Sequence, residues 1–147
     1  MEWKKIVENA VPLMLIVIVL NLLLFGIVVF MWHMATDLGG SEYYEVFNQG
    51  SVVILILQIL INIIIYVYAG KRAIKNNLDK ISAGMVGVSI FVFCAVFILL
   101  LETLYNTDFG IISLYSDWLF LIPGVIFNFT LSYIGALWGS KKIKKKV

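Results

Sequence analysis

The sequence predicts an all-α integral membrane protein, folded as a four-helix transmembrane bundle, and two observations support this prediction. Of its 147 residues, 62% are hydrophobic and only 14% are charged, whereas roughly a quarter of the residues in a soluble domain are charged. The apolar residues also fall into four long runs, each close to the roughly 20 residues that a helix needs to cross a bilayer. We expect a single transmembrane domain over residues 1–147.

The four apolar runs define the predicted helices and the segments between them. We expect helices over residues 11–34, 51–70, 81–101 and 118–138. The remaining segments are the outer loops 35–50 and 102–117, the inner loop 71–80 and the basic tail 139–147. The first run follows two lysines, as in a signal peptide. It exceeds the roughly 7–15 apolar residues of a signal core, however, and no good small-residue cleavage site follows it, so we expect a retained helix.

All eleven Lys and Arg residues lie on one side of the predicted bundle. They precede the first helix, occupy the connection between the second and third helices, and follow the fourth helix. The opposite side carries acidic residues and no Lys or Arg. Because basic segments stay in the cytoplasm, we expect a multi-pass protein of the plasma (cell) membrane with both termini cytoplasmic, N-in and C-in.

The basic side is expected to contact the anionic lipids of the inner leaflet. Each basic residue near such a surface contributes about 1 kcal/mol of binding free energy. The residues expected to touch lipid headgroups are Lys71, Arg72, Lys141, Lys142, Lys144, Lys145 and Lys146. A nucleic-acid partner is not expected, because the short tail offers no element that could read a sequence.

The two halves of the chain have a similar pattern, as in transporters built from internal repeats. Each pair of helices begins with a Lys-Ile dipeptide, at Lys5 and at Lys80. Each pair ends in aromatic residues, glycine and a basic cluster, in "YVYAGKRAIK" and "YIGALWGSKKIKK". Two unrelated helical hairpins of the same orientation would share this pattern, so a two-fold repeat stays one of two open interpretations.

Polar side chains recur near one depth of the predicted membrane. Asn21, Asn62, Ser89 and Asn128 each lie about 12–15 Å from the cytoplasmic end of a different helix, at 1.5 Å rise per residue. In the second and fourth helices the polar residues recur every four positions, which places them on one face. The predicted polar seam consists of Asn21, Gln58, Asn62, Tyr66, Ser89, Asn128 and Ser132.

Three interpretations of this seam remain open at the level of sequence. The amides hydrogen-bond one another and fix the helix register, or they line a polar cavity for a solute, an ion or a lipid headgroup, or they face another subunit. Small residues near the seam are expected to let helix backbones approach each other. The predicted helix-packing residues are Ala83, Gly87, Gly124, Gly135 and Ala136.

The outer loops are acidic and aromatic, and they form a candidate rim for a cationic partner. His33 and Glu102 lie at similar heights, about 31 Å along their helices, so the two side chains could meet at the outer interface. A lone His–Glu pair is more often structural than catalytic, and the positive-inside rule alone leaves outer loops acidic. The candidate outer interface consists of His33, Glu42, Glu45, Glu102 and Asp108.

The sequence lacks the residues that most membrane chemistry requires. No Asp, Glu, Lys or Arg falls in the centre of a predicted helix, where such residues usually mark proton or ion pathways. The single cysteine, Cys94, and the single histidine, His33, fall on different helices at different heights. No Cys/His cluster suits a zinc or haem site. We therefore predict no catalytic, cofactor-binding or metal-binding residues, and we favour a protein that is not an enzyme.

These features favour a non-enzymatic small integral membrane protein. We expect an accessory subunit, regulator or immunity-type binding partner that acts through its transmembrane faces and its acidic-aromatic outer rim. The expected partners are membrane lipids and either another membrane protein or a second copy of the chain. The alternative is a small oligomeric transporter or channel with a polar site at the level of Asn21, Asn62, Ser89 and Asn128.

Overall fold

The computed structural model describes residues 2–38, 41–105 and 118–144, and these ranges are almost entirely helical, with no strand. The helices are α1 (Trp3–Leu38), α2 (Ser41–Lys75), α3 (Lys80–Tyr105) and α4 (Trp118–Lys144). Each contains a segment that is long and apolar enough to cross a membrane: Trp3–Met34, Phe47–Lys75, Lys80–Leu100 and Leu121–Lys141. The prediction of an all-helical fold with four candidate membrane spans is therefore confirmed.

The first two helices are longer than the sequence predicts. α1 begins at Trp3 and not near residue 11, because Ile6 and Ala10 are fully buried and extend the packed face of the helix. α2 begins at Ser41, so most of the predicted outer loop 35–50 is helical. Its first turns pack on α1, where the ring centroids of Trp32 and Phe47 lie 5.3 Å apart. With 36 residues, α1 is about 54 Å long at 1.5 Å per residue.

The predicted inner loop and basic tail are likewise more helical than the sequence predicts. The inner loop, predicted over 71–80, is reduced to residues 76–79, because α2 runs to Lys75 and α3 begins at Lys80. α4 continues to Lys144 and takes in most of the predicted basic tail. Polar residues end a membrane span without ending a helix, so the helices run past the edges of their apolar segments.

We call the end of the bundle that contains Trp3, Lys75, Lys80 and Lys141 the basic end. The other end of the bundle is called the far end. α2 and α3 lie in the middle of the bundle and contact each other. α1 packs on one side of this pair and α4 on the other, and within the described ranges α1 and α4 do not approach each other. This arrangement makes α2 and α3 the two helices that every other helix contacts.

The buried core occupies only the half of the bundle nearest the basic end. The buried residues furthest from that end are Val17 in α1, Tyr66 in α2, Ala95 in α3 and Asn128 in α4. Beyond these four positions, no described side chain is buried. The far half of the bundle therefore has no common core among the described residues.

The short turn between α2 and α3 is specified by its own hydrogen bonds. The amide of Leu78 donates to the carbonyl of Ala73 and the amide of Asn77 donates to that of Ile74, both at 3.1 Å. This pattern is a Schellman motif, and its left-handed position is held by Asn77 with φ 63°. Asp79 then caps α3, because its Oδ1 accepts from the amide of Ser82 at 2.8 Å.

The Asp79 cap also changes the acidity of its carboxyl group. The backbone amide of Ser82, and then its hydroxyl at 2.8 Å from Oδ2, hold the pKa of Asp79 below its usual value. Both bonds stabilise the ionised form of the carboxylate. The carboxylate is therefore an anion at neutral pH, with both of its oxygens engaged by Ser82.

Candidate functional site

Among the described glycines, the two with the least room for a side chain lie where α2 packs against α4. A Cβ atom on Gly70 would overlap the backbone carbonyl of Ser132, and one on Gly135 would overlap the carbonyl of Val67. The hydroxyl of Ser132 donates a hydrogen bond to the carbonyl of Tyr66 at 2.9 Å across this contact. The small residues thus allow two backbones to approach until a side chain of one helix bonds the main chain of the other.

This contact fixes the register between α2 and α4, which run in the same direction. Ser132 bonds the residue 66 positions earlier in the chain, and Gly70 faces Ala136 at the same offset. The same offset one turn further from the basic end places Asn62 at the level of Asn128. One residue from each of the two predicted polar stripes therefore lies at this level.

The two asparagines at this level have unequal surroundings. Asn128 is only 7% exposed, and its Nδ2 donates to the carbonyl of Gly124 at 2.8 Å within its own helix. Asn62 is half-buried, and its side chain forms no hydrogen bond with any described residue. Asn62 is therefore an amide in the middle of a candidate membrane span whose hydrogen-bonding groups no described residue satisfies.

The remaining seam residues bond in different ways. Gln58 donates its Nε2 to Oδ1 of Asn21 at 2.5 Å, which links α1 to α2. Asn21 in turn donates to the carbonyl of Val17 at 2.7 Å, and Ser89 donates to that of Met85 at 2.9 Å, each within its own helix. In the described chain, no hydrogen bond joins Asn21, Asn62, Ser89 and Asn128 to one another.

The predicted packing residues lie around the same contacts. Ala83 and Ala136 are fully buried. A Cβ on Gly87 would meet the carbonyl of Asn128 and the side chain of Ser132. Gly124 lies against the ring of Phe91. Gly87, Gly124 and Ala136 thus line the contacts that α4 makes with the two central helices.

Two packing glycines were missed by sequence reasoning. Gly70 is the last residue of the second helix predicted over 51–70, where a glycine is typical of a helix end, but α2 continues past it to Lys75. Gly84 has the ring of Phe129 directly against it. Its position between the predicted packing residues Ala83 and Gly87 was the sequence feature that could have indicated this contact.

A second polar cluster, at the basic end, was also missed. Asn9 is only 5% exposed and donates to the carbonyl of Lys5 at 2.8 Å. The side chain of Asn76 donates to Oδ1 of Asn9 at 2.5 Å, which ties α1 to the turn after α2. Asn9 precedes the helix predicted over residues 11–34, although in α1 it shares a face with Ile6 and Leu13.

The basic end also contains an open groove. It is lined by Ile74, Asp79, Lys80, Ile81 and Tyr133 and has a volume of about 590 Å³. Of the predicted headgroup contacts, Lys71 and Arg72 are half-buried and Lys141 is exposed. The side chains of Lys142 and Lys144, and the whole of Lys145 and Lys146, lie outside the described residues. The one ion pair among the described side chains joins Lys5 to Glu2.

The predicted outer interface is described only in part. His33 is exposed, and its carbonyl accepts a hydrogen bond from the hydroxyl of Thr36 at 2.8 Å. Glu45 is exposed and lies 3.5 Å from the side-chain nitrogen of Gln49. The side chains of Glu42 and Glu102, and the whole of Asp108, lie outside the described residues. The expected meeting of His33 and Glu102 therefore stays a prediction.

Four candidate membrane spans and a polar contact between two of them indicate a multi-pass membrane protein. Comparisons with protein-family models, with curated proteins and with solved structures find no match to this chain. Any more specific assignment must therefore be argued from the residues of the chain itself.

Proposed function

We propose that this chain is a non-enzymatic accessory subunit or regulator that binds another membrane protein. We further propose that it lies in the plasma membrane with both termini in the cytoplasm. The observation that carries the proposal is the uneven core. The half of the bundle near the basic end is packed, whereas beyond Val17, Tyr66, Ala95 and Asn128 no described side chain is buried. The far half thus offers helix faces that the described residues leave uncovered.

The position of Asn62 supports a protein partner over lipid alone. Its side chain lies one turn beyond the last buried residue of α2 and has no hydrogen-bond partner among the described residues. Hydrocarbon tails form no hydrogen bonds, whereas a polar side chain of another helix can bond Asn62. Each such interhelical bond contributes about 0.6 kcal/mol, and up to about 1.7 kcal/mol, of stabilising free energy. A transmembrane helix with an amide or hydroxyl group at this depth would satisfy Asn62.

The side chains of the far half suit the binding of an apolar helix of a partner better than they suit catalysis. Its described side chains are mainly exposed aliphatic and aromatic residues, such as Leu23, Phe30, Ile56 and Ile59. Among the described residues, no three His, Cys, Asp or Glu side chains come together. The proposal therefore assigns binding to the helix faces and assigns no reaction.

The mass of the intact complex tests this proposal. The full chain is extracted from its native membrane in a mild detergent and weighed by native mass spectrometry. We expect a complex in which this chain and a second kind of chain occur in fixed stoichiometry. The mass of a single chain, or exact multiples of it, would overturn the proposal.

The alternative is a small oligomeric transporter or channel, and one observation favours it. Asn62 and Asn128 lie at the same level of two adjacent helices, and Asn62 has no hydrogen bond within the described chain. Polar side chains at this depth suit the passage of a neutral polar solute across the membrane. Swelling of proteoliposomes in glycerol or urea tests it: uptake above that of empty vesicles, lost in Asn62→Leu, would establish the alternative.

A further inference from the structure

We propose that the groove at the basic end binds the headgroup of an anionic phospholipid. The groove lies where α2 ends and α3 begins, and Tyr133 of α4 closes its third side. The candidate spans end at Lys75 and Lys141 and begin at Lys80, so the groove lies at the boundary between hydrocarbon and water. This inference goes beyond the proposed function and does not rest on it.

The walls of the groove are suited to an amphipathic ligand. Ile74, Ile81 and Tyr133 provide apolar surface, and Lys80 provides a cation in the same groove. Ile81 is 63% exposed, so its side chain offers an uncovered aliphatic surface beside that cation. A phospholipid requires this combination, because its phosphate lies directly above its acyl chains.

The position of Tyr133 is fixed by packing inside the bundle. Its ring stacks on that of Phe129, with centroids 6.0 Å apart and planes 13° apart. The ring of Phe129 in turn lies against Gly84 of α3. The wall that α4 contributes is therefore held by the contact between α3 and α4.

The charges around the groove favour an anion. Lys80 is exposed and forms no ion pair with a described residue, and Lys71, Arg72, Lys75 and Lys141 at the same end also form no ion pair with a described residue. The one acid in the lining is Asp79, and both of its oxygens accept hydrogen bonds from Ser82. The carboxylate is thus held as the cap of α3, and Lys80 remains available for the phosphate of a lipid.

Lipid titration of the purified full-length chain tests the proposal. The chain in mild detergent is titrated with phosphatidylglycerol or with phosphatidylcholine, and bound lipid is counted by native mass spectrometry. We expect preferential binding of phosphatidylglycerol and a several-fold weaker affinity in Lys80→Gln. About 1 kcal/mol per basic residue corresponds to roughly a fivefold change.

Matched variants separate a defined site from diffuse attraction. Lys4→Gln removes the same charge from the basic end but not from the groove, and Lys80→Arg keeps the charge in the groove. We expect both to bind phosphatidylglycerol like the unmodified chain. Equal losses in Lys80→Gln and Lys4→Gln, no loss in Lys80→Gln, or complete competition by millimolar inorganic phosphate would each overturn the proposal.

Discussion

The hydroxyl of Ser132 donates a hydrogen bond to the backbone carbonyl of Tyr66 at 2.9 Å, across the contact between two helices that run in the same direction. Both residues are buried, so the bond forms where water does not compete. It sets the register that brings Asn62 to the level of Asn128. The stability of this contact and the proposed binding of a partner at Asn62 can therefore be tested separately.

Removing the hydroxyl should weaken the contact between α2 and α4. We expect Ser132→Ala to lower the free energy of unfolding by about 0.5–1.5 kcal/mol, the net value of a typical hydrogen bond. Thr130→Ala is the matched control, because Thr130 is exposed and bonds the carbonyl of Ile126 in its own helix. Thermal unfolding in detergent measures both. An equal loss in the two variants would show that the interhelical bond has no special role.

The two glycines of the contact should tolerate no side chain. We expect Gly70→Ala and Gly135→Ala each to destabilise the protein by about 1–3 kcal/mol, as overpacking does, because the new methyl group meets a backbone carbonyl that cannot rotate away. Gly26→Ala is the control, since nothing lies within 4 Å of its added Cβ. It should leave stability unchanged or raise it, because alanine favours helix. Melting curves in which Gly70→Ala behaves like Gly26→Ala would refute the close contact.

The cap of α3 should give a stability contribution that depends on pH. The pKa of Asp79 is lowered in the folded protein by its bonds to Ser82, so the contribution is fully present above the ordinary carboxyl pKa of 3.8 and is lost as the pH falls through the lower folded value. We expect Asp79→Ala to cost about 1 kcal/mol at pH 7, with the difference shrinking in acid. Asp79→Asn, which keeps a capping oxygen, should lose much less. A difference between Asp79→Ala and the unmodified chain that stayed constant down to pH 2 would contradict the assignment.

The turn between α2 and α3 should respond to glycine. Asn77 adopts φ 63°, a conformation that glycine reaches without steric cost and that alanine does not. We expect Asn77→Gly to keep or slightly raise the melting temperature and Asn77→Ala to lower it. The reverse order would show that the side chain of Asn77, and not its backbone conformation, determines the turn.

The sequence predicts the helices of this fold better than it predicts their contacts. Length and composition are enough to give four apolar helices, because a bilayer requires long apolar segments with their backbone bonds satisfied. They do not give the ends of the helices, since a helix continues past the apolar run predicted from sequence wherever its residues still pack, as at Ile6 and Phe47. Helices that are apolar on every side also show no preferred face, so which helices touch cannot be read from their pattern.

The contacts between helices could be predicted neither from the repeat of polar residues nor from the position of a single glycine. The spacing of Gln58, Asn62 and Tyr66 gave one face of α2, but it did not reveal that Gln58 bonds Asn21 of α1. The role of Gly70 depends on the backbone of another helix, which no local pattern encodes. Asn9 and Asn76 are 67 positions apart in the chain, and only the assembled bundle brings them together.

The most direct test of the proposed binding function compares two substitutions on α2. Asn62→Leu removes the amide to which no described residue bonds, and Ile64→Leu changes a side chain that is 67% exposed two residues away. Melting temperature in detergent and the mass of the complex extracted from the native membrane are measured for both. We predict that Asn62→Leu melts like the unmodified chain yet loses the second kind of chain, while Ile64→Leu keeps both properties. A lower melting temperature in Asn62→Leu with the complex intact would contradict the account, because Asn62 would then serve the fold and not a partner.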